Sequence, residues 1–183
     1  MCDVTHPGER ALSSFTGSGY DKGRGIGVQA AWLLVRGLIF TRWWCPNGLR
    51  VQILRAFGAT IAGGVLIRHD VRIHWPWKLV VGADSWIGER AWILNLEPVV
   101  IGSNVCISQE AMLCTGSHDH RSPTFEFDNA PIEVGDGAWI AVRATVLRGV
   151  VIGPGAVVGA NALVVDDVAS NSVVMAPRGV TRP

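Results

Sequence analysis

From Ile61 to Ala169 the apolar and polar positions recur with a period of six: an aliphatic residue, three variable ones, a small or aliphatic residue, and a variable one. Units open at Ile61, Ile67, Ile73, Val81, Ile87, Ile93, Ile101, Ile107 and Leu113, and resume from Val134 to Val164. The fifth position holds residues such as Val65, Ser85, Ala91, Ala111, Ala144 and Ala162, with Trp77 and Glu97 as exceptions. A fixed short period of this kind is the signature of a solenoid whose repeats stack on one another. Fifth and first positions of successive units lie two residues apart, so on a short strand they share the inner face, while the sixth position looks outward. Gly, Asn and Asp gather at the second to fourth positions, where corners need tight or left-handed backbone. The phase slips after every third unit, by two residues after 73–78, two after 93–98 and fifteen after 113–118. Three sides per turn, with insertions at one corner, predict an all-β solenoid over residues 59–169: a parallel β-helix of about five triangular coils.

The pattern before the repeats differs. Residues 1–27 are rich in Gly, Ser and charge and predict no regular structure, only a terminus that drapes over its neighbours. Residues 28–45 form an apolar run, but Arg36 and Arg42 lie inside it and Gly37 is central, which speaks against a spanning helix. Two readings stand for this run: a packed helix, or an interfacial helix with Trp43 and Trp44 at lipid headgroups, a peripheral membrane contact. Leu49, Ile53 and Phe57 then recur at helical spacing, with Arg50 and Arg55 off that face and Gly58 placed as a C-cap. Residues 28–58 thus read as a helical cap over the open end of the prism, and 170–183 as a C-terminal tail.

Composition narrows the class. A net charge of +1 leaves no basic footprint for nucleic acid. Cys2, Cys45, Cys106 and Cys114 have neither paired metal-ligand spacing nor the arrangement of a secreted disulfide framework. The apolar run begins too late for a secretory signal, so reduced thiols in a cytoplasmic protein are expected.

Candidate chemistry lies where the repeats break. Residues 119–133 form the one long excursion from the prism, leaving from His118 and returning at Val134. His118 occupies a sixth position, which projects its imidazole outward beneath the loop, where a neutral ring can take a proton from a hydroxyl or amine. Asp119, Glu126 or a backbone carbonyl could orient it, and His120 could share the pocket. His69 and His74, in the first coil, read as structural. Two outward columns, Trp86, Cys106, Trp139 and Val157 on one side and Trp92, Met112, Thr145 and Leu163 on the next, expose enough apolar surface to imply a subunit interface or a ligand groove.

The hexapeptide units, together with the run Ile107-Ser-Gln-Glu-Ala-Met-Leu-Cys-Thr-Gly-Ser-His-Asp-His120 and the loop after it, resemble the left-handed β-helix acyltransferases. The likeness is closest to the colanic acid biosynthesis acetyltransferases and the maltose and galactoside O-acetyltransferases, and it covers about residues 30–174. It implies a left-handed helix and transfer of an acetyl group from acetyl-CoA to a hydroxyl of a small-molecule or lipid-linked sugar, in exopolysaccharide or other surface-glycan biosynthesis. A homotrimer, with the site in a groove between adjacent prisms and no metal, is also implied. His118 matches the family's general base, with Asn95, Asp119, His120 and Glu126 on the acceptor side. Trp139, Ala141, Val142 and Ala160 match CoA-lining positions. The family's closing Gly-x-Pro-Ala-(Lys/Arg) motif is one residue short here, which leaves Arg178 and Arg182 as partners for the CoA phosphates. Two other readings use the same scaffold: a γ-class carbonic anhydrase, which needs three converging histidines, and a non-catalytic trimeric scaffold.

Overall fold

The computed structural model describes residues 10–177. The hexapeptides form three parallel sheets around one core. Face 1 stacks β1 (Thr60–Ile61), β4 (Leu79–Val81), β7 (Val99–Ile101), β10 (Ile132–Val134) and β13 (Val151–Ile152). Face 2 stacks β2 (Leu66–Ile67), β5 (Trp86–Ile87), β8 (Cys106–Ile107), β11 (Trp139–Ile140), β14 (Val157–Val158) and β16 (Val173–Val174). Face 3 stacks β3 (Arg72–Ile73), β6 (Trp92–Leu94), β9 (Met112–Cys114), β12 (Thr145–Leu147) and β15 (Leu163–Val164). Five complete coils are therefore followed by a sixth strand on face 2, drawn from residues the repeat count had left in the tail.

First and fifth positions point inward, and Ile67, Ile87, Ile107, Ile140 and Val158 are fully buried. The strands stack in the register the period dictates: Trp86 pairs with Cys106, Cys106 with Trp139, and Trp139 with Val157. At two corners the fourth position takes left-handed backbone, in Asp84, Arg90, Asn104, Glu110, Arg143 and Asn161 among others. The glycine after the aliphatic residue has a different cause. A Cβ on Gly82 would lie 2.4 Å from the Gly102 carbonyl carbon, so it is the approach of the next coil, not handedness, that excludes a side chain.

The open end of the first coil presents unpaired strand carbonyls, and the helical cap closes it. Helix α1 (Ile26–Val35) runs into a wider π-type turn at Arg36–Phe40, so the apolar run 28–45 is not one continuous helix. Trp32 Nε1 donates to the His74 carbonyl and Arg36 to that of Ile73. Helix α2 (Asn47–Ala56) ends in a Schellman motif at Gly58, where Ala59 N–H reaches the Leu54 carbonyl and Gly58 N–H that of Arg55. Its buried side is Arg50, Val51 and Leu54, whereas Leu49 is 40% exposed and Ile53 and Phe57 are only partly covered. The helix is thus rotated from the face its aliphatic spacing predicted. The reason is Arg50, whose guanidinium turns inward to donate to the carbonyls of Phe40, Arg42 and Ile67. Asn47 and Arg55 serve Val65 and Ile61 in the same way.

Candidate active site

The third corner, between faces 3 and 1, admits the insertions, and in the third coil it extends into a finger. This finger is a hairpin rather than an irregular loop. His118 and Phe127 form an antiparallel bridge. Asp119 N–H donates to the Glu126 carbonyl, Asp128 N–H to that of Ser117, and Ala130 N–H to that of Thr115. Its last residues, Ile132 and Glu133, belong to β10. Asp128 pairs with Arg148 of the next coil, which ties the returning limb to the wall.

His118 is half-buried in an aromatic box. Phe125 stacks on the imidazole at 4.4 Å between centroids and Phe127 at 5.0 Å, while Phe15 meets it edge-on at 5.6 Å. His118 Nδ1 lies 2.7 Å from the Phe125 carbonyl oxygen. A carbonyl only accepts, so Nδ1 holds a proton, and in the neutral ring Nε2 carries the lone pair. Of the three orienting groups the sequence left open, the backbone carbonyl is the one in place. Phe125 adopts φ 55°, a left-handed conformation rare for a bulky residue, and this aims its carbonyl back at the ring.

The N-terminal segment completes the box. Residues 10–25 contain one short 3₁₀ turn, Leu12–Ser14, yet the segment is pinned along its length. Ala11 N–H donates to the Pro123 carbonyl. Glu126 accepts from the N–H and hydroxyl of Thr16, and these bonds, led by the N–H, hold its carboxyl below the usual range. Tyr20 packs on Phe127 and its hydroxyl accepts from Trp75 Nε1, and the Lys22 carbonyl accepts from Trp77 Nε1. Glu126 therefore fastens the strap and does not reach toward an acceptor.

The other predicted residues divide. Asp119 and His120 are exposed at the finger's rim, with Asp119 Oδ1 accepting from Arg121 N–H. Asn95 is corrected: it is fully buried, its Oδ1 accepts from the N–H groups of His74 and Trp75, and its Nδ2 donates to the Trp75 carbonyl. A side chain with no exposed surface that staples two coils together meets no substrate. Ala141 is also buried, and its N–H is committed to the Val158 carbonyl. Trp139 is half-exposed on face 2, and Val142 and Ala160 are exposed on the corner between faces 2 and 3. His118 sits on a different corner, so one chain does not bring the base and these positions together. A shallow concavity of about 280 Å³ lined by Trp86, Cys106, Ser108 and Gln109 likewise lies on the face-2 side. Arg178 and Arg182 lie outside the described residues.

Phe15, Tyr20, Phe125, Phe127 and Asn129 were missed from sequence. Phe125 and Phe127 both stack on the His118 ring, and they stand two residues apart in the sequence. Asn129 accepts from Ser117 N–H through Oδ1, which fixes its amide, and leaves its buried Nδ2 without a partner among the described residues. Cys114 is buried and its thiol is pushed up by desolvation, which removes it as a nucleophile.

The three-histidine site is not formed. His69 stands on the corner between faces 2 and 3, whereas His74 and His118 follow β3 and β9 at the insertion corner, two coils apart. Among the described residues one group, His69, Asp70 and Glu89, gathers ligand atoms within 4.8 Å, and Arg90 lies 3.8 Å from the Glu89 carboxylate.

Comparison with known proteins agrees with this architecture. The family model for bacterial transferase hexapeptides (six repeats) matches residues 131–166. The chain is 41% identical over 166 residues to WcaF of Escherichia coli K12, which is named for acetyl transfer in colanic acid biosynthesis, with 88% of this chain and 90% of that one covered. The crystal structure of the hexapeptide-repeat acetyltransferase VCA0836 of Vibrio cholerae, complexed with acetyl coenzyme A, superposes with a TM-score of 0.75 at 21% identity, covering 88% of this chain and 90% of that one. A maltose O-acetyltransferase of Clostridium difficile 630 gives 0.71 at 21% identity, covering 81% of each. The likeness establishes the fold as the left-handed parallel β-helix.

Proposed function

The chain belongs to the hexapeptide-repeat acetyltransferases, and on that premise we propose that it moves an acetyl group from acetyl-CoA to a sugar hydroxyl in surface-polysaccharide assembly, with His118 as general base. WcaF, named as an acetyltransferase of colanic acid biosynthesis, and VCA0836, solved with acetyl-CoA, support the reaction class and the donor. The observation that supports the base is the bond between Nδ1 and the Phe125 carbonyl, because in the neutral ring it puts the proton on Nδ1 and leaves the Nε2 lone pair steered by the box.

In this reading Nε2 takes the proton of the acceptor hydroxyl as its oxygen attacks the thioester carbonyl. The tetrahedral oxyanion collapses, the C–S bond breaks, and the CoA thiolate leaves, to be protonated by the imidazolium. Backbone N–H groups hold the oxyanion, a role worth about 3–4 kcal/mol per donor. Because His118 and the predicted CoA-lining positions occupy different corners, the site is shared. One prism gives His118, Phe125 and the strap, and its neighbour in a homotrimer gives Trp139, Val142 and Ala160. The exposed columns, Trp86 and Trp139 on face 2 and Trp92 and Leu163 on face 3, supply the apolar surface for that packing. In this reading the reaction runs in the cytoplasm, on the acetyl-CoA pool there.

The test is thiol release from acetyl-CoA over a panel of mono- and disaccharides, with light scattering on the same sample. Acceptor-dependent release from a trimer supports the reading. Release that amines stimulate and hydroxyls do not, a monomer with full activity, or an active His118→Ala variant overturns it.

A further inference from the structure

The cap that closes the prism has an outer side which neither the reaction nor the trimer uses. Between Asp21 and Asp70 the chain has no acidic residue, while Lys22, Arg24, Arg36, Arg42, Arg50, Arg55 and Arg68 give this stretch seven cations. With a net charge of +1 for the whole chain, the remainder stands at −6, so the near-neutral total hides a polarised molecule. Among the described residues none of the seven pairs with a carboxylate.

The same stretch exposes its largest apolar side chains. Gln29 and Trp32 of α1 and Phe40 of the turn face the prism, and Ile26, Leu33, Leu34, Leu38, Trp43 and Trp44 face away, with Leu34 62% and Trp43 80% exposed. A helix apolar on both sides is buried on both sides or lies against lipid. Helix α1 has ten residues, about 15 Å of rise, half of what a hydrocarbon core requires, and no helix among the described residues is long and apolar enough to cross a membrane. Lying in the interface is the geometry left to it. Pairing this surface with the same surface of a second copy would oppose cations to cations.

We propose that the helical cap docks on an anionic lipid surface, with α1 in the headgroup plane, Leu34, Leu38, Trp43 and Trp44 inserted, and Arg24 and Arg42 against lipid phosphates. Apolar insertion and cation attraction act together in such binding, and each cation near the surface is worth about a fivefold change in partition. The inference goes beyond the acetyl-transfer reading and does not depend on it.

The experiment is cosedimentation of the full chain with phosphatidylcholine vesicles and with vesicles containing one part in four of phosphatidylglycerol, at low and high salt. Retention on the anionic vesicles alone, falling with salt, is expected. Trp43→Ser with Trp44→Ser lowers that partition by about tenfold or more, as loss of two interfacial aromatics requires, and Arg42→Glu by at least about fivefold, with melting temperature and thiol release unchanged. Protein that stays in the supernatant, or equal retention on neutral vesicles, overturns the proposal. So does a Trp43/Trp44 variant that keeps its vesicle binding but changes mass by light scattering, which would make this side a contact between copies.

Discussion

Two corners of the prism and the third one obey different rules. At the regular corners each coil turns through a left-handed fourth position, and glycine stands where the next coil presses on the backbone. No coil carries an insertion at either of these corners. The third corner escapes this limit because Asn95 and Thr115, both fully buried, bond the carbonyls and N–H groups that the irregular backbone leaves over. The chain is then free to extend, and in the third coil it extends into the finger that orients His118. The lesson is that the repeat builds the core and the interruption assembles the candidate site.

The largest effect that separates the two is expected at the finger. His118→Ala should lower kcat by about 10²–10⁴, the usual contribution of a positioned base, while the thermal midpoint and the trimer mass stay near those of the parent. A variant that unfolds instead would mean that the finger supports the prism.

The regular corners should behave in the opposite way. Gly82→Ala places a Cβ 2.4 Å from backbone of the coil above, and the overpacking should cost about 1–3 kcal/mol in denaturant unfolding. Gly25→Ala, which meets nothing within 4 Å, is the control. Equal stability of the two variants would show that the coils can separate freely.

The strap should yield locally. Glu126→Gln weakens the bonds to Thr16, so amide exchange at residues 10–20 should quicken while the coils remain protected. Unchanged exchange in that segment would remove Glu126 as its fastening.

A pH effect should appear below neutrality. Burial first, then the charges of Arg36, Lys22 and Lys78, lower the His74 pKa from 6.5 to about 4. Between those values the unfolded chain binds a proton that the folded chain refuses, so stability should be full above pH 6.5 and decline as pH falls toward 4. His74→Asn should flatten that decline in urea titrations, and an unaltered slope would refute the assignment. The smallest change is expected for His120→Ala at the exposed rim: a loss in kcat under about tenfold, an estimate from the same comparison of base catalysis. A larger loss than at His118 would exchange the two roles.

Much of this is legible in the sequence. The six-residue period alone determined the three faces, the identity of the stacked outward columns, the position of the insertions and the placement of His118 at the root of the long one. These follow from local geometry, because side-chain direction on a strand and coil stacking depend only on position within the unit. Tertiary structure decided the rest. Which side of α2 is buried turned on Arg50 finding the carbonyls of Phe40 and Arg42 at the preceding turn and of Ile67 on the first coil, acceptors that lie outside the helix. Asn95 looked like a site residue and became a staple, because only the stacked coils show which backbone groups it must satisfy. The aromatic box unites Phe15 with Phe125 and Phe127 across more than a hundred residues, and the tautomer of His118 depends on a left-handed Phe125 within it. A period reports what each residue does for its own coil. What one segment does for another is decided by long-range packing and by the accounting of backbone hydrogen bonds, and neither is periodic.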